Sequence, residues 1–148
     1  MADIRDASMD DLHALTSLVE KYRAFYLQEP SERTETFLTE RLMRGESVVF
    51  VAESDGQLVG FAQCYPSFST VSLSIVWLLN DLFVEPEHRG GGIANQLMDH
   101  AESAAKQASA SRIWLRTAHG NQPARTLYER RGWVYDEVFR RYDLLLDA

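Results

Sequence analysis

The 148 residues predict a mixed α/β domain in which a central, mostly antiparallel sheet is flanked by helices. Three observations carry that expectation. Apolar residues recur at three- and four-residue spacing in some stretches and crowd into short runs in others, so helical and strand periods interleave along the chain. A turn dipeptide, Asp55-Gly56, separates two apolar runs and makes them antiparallel neighbours. The length, with 45% hydrophobic and 25% charged residues, suits one complete core, and no repeat, low-complexity linker or composition shift divides residues 1–148.

A short strand is expected around Ile4, then a helix whose apolar face carries Leu12, Leu15, Leu18, Val19, Tyr22 and Tyr26. Pro30 closes this segment, and Ser31 is placed to cap a second helix reaching about Arg44, with Leu38 and Leu42 four apart. SVVFVAE and QLVGFAQCY form the hairpin around Asp55-Gly56, and YPSFSTVS follows as a loop. SLSIVWLLNDLFV is apolar on both faces, as a central strand covered by helices must be. It leads into EPEHRGGG and a helix marked by Ile93, Leu97, Ala101, Ala105 and Ala108. RIWLRT is the next strand, and Pro123 and Gly132 suit the entry and exit of a last helix. The tail from Trp133 has room for two short strands that break at Asp136 and Glu137.

Charge narrows the functional classes. Residues 1–60 carry 6 basic and 12 acidic groups and residues 61–148 carry 9 and 10, giving a net charge of −7. That balance disfavours nucleic acid as a partner, since phosphate backbones are held by neutralising them. An acidic first part beside a balanced remainder suits a cationic ligand on one side and an anionic one on the other. The single cysteine, Cys64, forms no intrachain disulfide and lacks an evident His and acid partner for nucleophilic chemistry, and the four histidines are scattered without metal-ligand spacing. The acidic start and the absence of a long apolar run predict a soluble, cytoplasmic protein without a membrane span.

The most informative stretch is VEPEHRGGGIANQLM. Gly90, Gly91 and Gly92 lie between a strand and a helix, where they expose successive backbone N–H groups at the helix start, a cradle for a pyrophosphate. Arg89 adds a charged donor. The helix opens with Ile93 and Ala94 rather than the Lys and Ser or Thr of a phosphate-transfer loop. Nor does the cluster follow the first strand of a doubly wound sheet, where a dinucleotide fingerprint belongs.

With Arg89-Gly90-Gly91-Gly92-Ile93-Ala94 and, downstream, Asn121 before a helix that ends Leu127-Tyr128 and runs to Gly132-Trp133, the chain resembles the GNAT family of acetyl-CoA-dependent N-acetyltransferases from about Ile4 to Leu146. The resemblance implies a GNAT-like sheet and acetyl-CoA as cosubstrate. It implies that backbone groups of Leu82, Phe83 and Val84 pair with the pantetheine arm, that Arg89 to Ala94 hold the pyrophosphate, and that Asn121 and Arg125 lie on the cofactor side. Tyr128 is the implied acid for the departing thiolate. The resemblance points to the branch that handles small amines such as polyamines and diamines, or histone-like lysines. There a Glu often precedes the Asp of the central strand. Here the pair is Asn80-Asp81, and since Asn80 accepts no proton, Asp81 through water, or an acid from the first half, is the candidate base.

Tyr22, Phe25, Tyr26, Tyr65 and Phe68 offer an aromatic wall, and Glu29, Glu32 and Glu35 a negative field, to a small cationic amine; a protein lysine is the alternative acceptor. An acyl-CoA sensor without turnover, or an interaction domain without cofactor, would use the same fold. The apolar terminal hairpin, and the family's habit of pairing there, predict a homodimer.

Overall fold

The computed structural model describes residues 2–147. It divides into two compact units, Met1–Arg116 and Thr117–Ala148.

The first unit is built on a five-stranded sheet in the order β1-β2-β3-β4-β5. The strands are β1 (Asp3–Asp6), β2 (Val48–Ser54), β3 (Gln57–Ser69), β4 (Ser74–Val84) and β5 (Ala110–Trp114). The first three pairings are antiparallel, and β5 joins β4 in parallel. The expected mixed, mostly antiparallel sheet is therefore present. Asp55 and Gly56, both at positive φ, close the β2–β3 hairpin, since two left-handed residues match the twist of the flanking strands.

Helices α1 (Leu12–Phe25) and α2 (Arg33–Met43) cover one face and α3 (Ile93–Gln107) the other. Strand alternation sorts the core accordingly. Val49, Val51, Phe61 and Phe83 meet Leu15, Leu18 and Leu38 on the first face. Ile93, Leu97, Met98, Ala101 and Ala105 are the buried residues of α3, while Ala108 lies past its end. Glu20 joins the first two helices by accepting from Thr34 Oγ1 (2.6 Å) and the Ser31 N–H (2.9 Å), and these bonds, Thr34 first, hold its carboxyl below the ordinary range. Ser31 Oγ accepts the Arg33 N–H, close to the capping role expected of it.

Three expectations are corrected. YPSFSTVS is not a loop throughout, because β3 continues to Ser69 and pairs with β4 as far as Ser69 opposite Ser74. Pro66 sits within this strand end, where a missing donor costs least. The last strand of the unit begins at Ala110, two residues earlier than RIWLRT suggests. Tyr26 stands beyond α1 and is about half exposed rather than part of its buried face.

The second unit contains α4 (Gln122–Arg130), with proline in its first turn and Gly132 at φ 89° after its end. Among its described residues no strand forms, so the expected terminal hairpin is absent. Asp136 Oδ1 accepts the backbone N–H groups of Val138 (2.9 Å) and Phe139 (3.3 Å), a local turn that takes the donors a ladder would need.

Candidate active site

The site in the first unit follows from one extra residue. Gln63 faces Asp81 across the β3–β4 ladder, but the next residue, Cys64, faces Leu79, so Asn80 is unmatched and forms a β-bulge. Side chains of a strand alternate, and the inserted residue changes the parity. Val76 and Leu78 lie opposite Ser67 and Tyr65, and beyond the bulge Asp81 and Phe83 lie opposite Gln63 and Phe61. All of these belong to the face covered by α1 and α2. Were Asn80 paired in register opposite Gln63 instead of bulged, Asp81 would point toward α3.

The carboxylate of Asp81 is held at both oxygens. Gln63 Nε2 donates to Oδ2 at 2.8 Å and Asn80 Nδ2 to Oδ1 at 3.0 Å. Its charge is felt around it. Burial first, then Asp81, pushes the Cys64 thiol up to about 12, so this cysteine is no nucleophile at neutral pH. The same two causes push the Tyr65 phenol up to about 12, opposed by Arg41, and raise the Tyr22 phenol well above its ordinary range.

The pairing of β4 with β5 stops at Leu78 opposite Trp114, so among the described residues of this unit 79–84 have no strand neighbour on that side. The Glu85 N–H returns to Val59 O (2.8 Å), which turns the backbone groups of alternate residues, Phe83 among them, toward β3. The backbone groups of Leu82 and the N–H of Val84 therefore face the open side, while the Val84 carbonyl accepts from Arg89. Of the three residues expected to pair with an extended arm, Phe83 is engaged with β3 through its backbone and with the core through its ring.

β4 leads through a short turn (Pro86–His88) to the glycines. Gly90 and Gly92 adopt φ 85° and 87°, and Gly92 is the N-cap of α3. The first bond within α3 runs from the Gln96 N–H to Gly92 O (3.0 Å), so the amides of Ile93 and Ala94 are not used by the helix. A Cβ added at Gly90 or Gly92 would meet no atom within 4 Å, and at Gly91 only His88 O at 4.0 Å. Arg89 Nε donates to Val84 O (2.8 Å), its guanidinium 5.7 Å from the Phe83 ring centre, which ties the turn to the end of β4 and leaves both Nη groups for an anion. An open strand edge continuous with an open nest of amides fits a long acyl thioester with a pyrophosphate at its far end.

The aromatic wall is only partly assembled. The Tyr22 ring packs edge-on against Phe61 and Phe83, which makes it part of the core. Phe25 and Tyr26 form an exposed pair, and Phe68 is exposed near the hairpin tip. Phe37, beneath the Arg41 guanidinium at 4.8 Å, is an exposed ring the aromatic spacing does not single out. Glu29, Glu32 and Glu35 are exposed beside it in sequence. An open groove of about 550 Å³ runs over β3, β4 and β5 between Tyr65, Phe68, Val76, Leu78, Arg112 and Trp114.

In the second unit Asn121 caps α4, accepting the Ala124 N–H at 3.3 Å, and Arg125 Nη1 donates to His119 O at 3.0 Å. The Tyr128 and Trp133 rings lie 6.1 Å apart, and the Trp133 N–H donates to Tyr128 O.

The chain matches the model of the acetyltransferase (GNAT) family over residues 12–133. It belongs to that family. It is 41% identical over 147 residues to YhfO of Bacillus subtilis (strain 168), an uncharacterized N-acetyltransferase, with 99% of each chain covered. It is 38% identical over 91 residues to the streptothricin acetyltransferase of Streptomyces lavendulae, covering 61% of this chain and 46% of that one. The crystal structure of a probable acetyltransferase superposes with a TM-score of 0.93 at 38% identity, covering 99% of each chain. This GNAT acetyltransferase thus uses acetyl-CoA as cosubstrate and an amine as acceptor.

The turn yields a direct test. Gly91, unlike its two neighbours, has no positive φ, so Gly91→Val adds a side chain without backbone strain. Calorimetric titration with CoA should show affinity at least about tenfold weaker, with an unchanged melting temperature. Equal affinity in the folded variant would remove the pyrophosphate from this turn.

Proposed function

We propose that this acetyltransferase transfers the acetyl group of acetyl-CoA directly to the primary amine of a small basic molecule. The observation that carries this reading is the Asp81 carboxylate, turned by the bulge onto the α1/α2 face, on a unit whose exposed Glu29, Glu32 and Glu35 add negative potential. Phe25, Tyr26 and Phe37 supply exposed aromatic surface for an alkyl or ammonium body.

An alkylammonium is only about one part in 2,500 neutral at pH 7, equivalent to about 4.7 kcal/mol, so its proton must be removed before attack. Asp81 takes that proton through a water molecule. The freed nitrogen attacks the thioester carbonyl, its surplus proton passes to solvent water, the carbon–sulfur bond breaks, and the amide forms as sulfur departs with the electron pair. Tyr128 gives its phenolic proton to the thiolate and is reprotonated from solvent. Backbone N–H groups on the open side of β4 stabilise the oxyanion. The streptothricin acetyltransferase among the relatives acts, as its name states, on streptothricin, which supports a small-molecule acceptor here. A lysine of a protein is the second reading, supported by the open groove, which leaves room for a peptide.

Since the attacking nitrogen must be neutral while a second ammonium can stay paired with the acidic groups, a diamine should outperform a monoamine of equal length. Its KM should rise with ionic strength, because screening weakens the field that gathers it. Steady-state kinetics with thiol release, on diamines, monoamines and lysine peptides, decides this. Turnover confined to peptides, or no preference for a second cation, would contradict the small-amine reading.

Tyr128→Phe keeps the ring and removes the proton donor, so kcat should fall roughly a hundredfold with CoA affinity retained. Wild-type kcat under chemistry-limited conditions would exclude the acid role. A homodimer is proposed as well. Val134, Tyr135, Val138, Phe139, Tyr142 and Leu144 to Leu146 are all exposed, more apolar surface than a short tail leaves to water without a partner. Sedimentation should report twice the 16.9 kDa chain mass, and a monomer throughout the micromolar range would contradict pairing.

A further inference from the structure

We propose that Gln63 is a positioning residue for the acceptor side of the site, acting through Asp81; this rests on Asp81 receiving the amine's proton. Gln63 stands between Phe61 and Tyr65 on the α1/α2 face of β3 and is 4% exposed. Its Nε2 donates to Asp81 Oδ2 at 2.8 Å, and because an ionised carboxylate only accepts, that bond decides which way the amide points. Oε1 is thereby turned into closed surroundings, where it has no hydrogen-bond partner among the described residues. A buried acceptor left unpaired is unfavourable, and an apolar side chain of the same shape would avoid it. What the amide contributes lies at its other end.

Two amide donors, one on each oxygen, stop the carboxylate from rotating and leave further lone pairs on both oxygens. The donors are not equivalent. Asn80 is the bulged residue itself, next in the chain to Asp81, and moves with it. Gln63 belongs to the neighbouring strand and anchors Asp81 across the ladder to the body of the sheet. Tyr22 on α1, Cys64 and Tyr65 on β3, and Arg41 on α2 complete the charged and titratable surroundings of this pair. Proton transfer depends on the direction of the accepting lone pair as well as its distance, so a carboxylate free to rotate loses rate before it loses binding.

Gln63→Met keeps the shape and deletes both polar atoms. The melting temperature should stay equal or rise, KM for acetyl-CoA should be unchanged, and kcat should fall roughly ten- to a hundredfold. In an Asp81→Asn background the same substitution should have no further effect on residual turnover, because both changes act on one group. The bond itself is read without turnover: in ¹H–¹⁵N spectra one Gln63 side-chain proton should be displaced downfield and exchange slowly, and Asp81→Ala should return it to the ordinary position. Wild-type kcat in Gln63→Met, equal losses in both backgrounds, or a Gln63 resonance indifferent to Asp81→Ala would each overturn the proposal. Wild-type turnover in Asp81→Asn with the resonance still sensitive to Asp81→Ala would instead take Asp81 out of the chemistry, and the proposed role of Gln63 with it.

Discussion

The geometry of the catalytic unit depends on the unmatched residue in β4. An antiparallel ladder fixes the face of every side chain by a period of two, and Asn80 is where that period is broken in the β3–β4 pairing. Before it, β4 places Trp77 and Leu79 among the buried residues facing α3; after it, Asp81 and Phe83 face α1 and α2. Two residues before the bulge the strand also loses its parallel partner, since pairing with β5 ends at Leu78. The same short segment therefore turns a carboxylate onto one face and opens a strand edge beside it. In the proposed reaction a thioester laid along that edge and an amine approaching from the α1/α2 side would meet there.

The open edge and the glycine turn act as one surface because Arg89 joins them. Its Nε takes the Val84 carbonyl, so the end of β4 and the start of the turn hold a constant separation, while the remaining guanidinium nitrogens stay available. The positive-φ glycines then let the chain reverse into α3 with its first amides outward. In the proposed function this is recognition by backbone, which leaves substrate choice to residues of α1, α2 and β3.

That division explains what the sequence made legible. Three consecutive glycines between an apolar strand and an amphipathic helix are a local signal, and the nest they form lies where the pattern puts it. The bulge is not a local signal. In SIVWLLNDLFV both faces of the strand are apolar, so no alternation exists whose break could be seen, and the face of Asp81 was undecidable from spacing. Gln63 had a readable mark, a polar residue within the apolar run LVGFAQCY, but its partner is known only once the register is known. Pro and Ser are turn formers and make YPSFSTVS look like a loop, whereas pairing with Ser74 to Leu78 keeps most of it in strand. In the tail, apolar density suggested a hairpin, and the Asp136 side chain won the backbone donors instead.

The central claim is that acetyl-CoA completes the open side of β4 and fills the glycine nest. Residue-resolved amide hydrogen exchange, with and without saturating CoA, tests it most directly. Protection should increase at Leu82 or Val84 and at the amides from Gly90 to Ala94, while Phe83, already turned toward β3, changes little. Protection that appears elsewhere and spares both β4 and the turn would contradict the account.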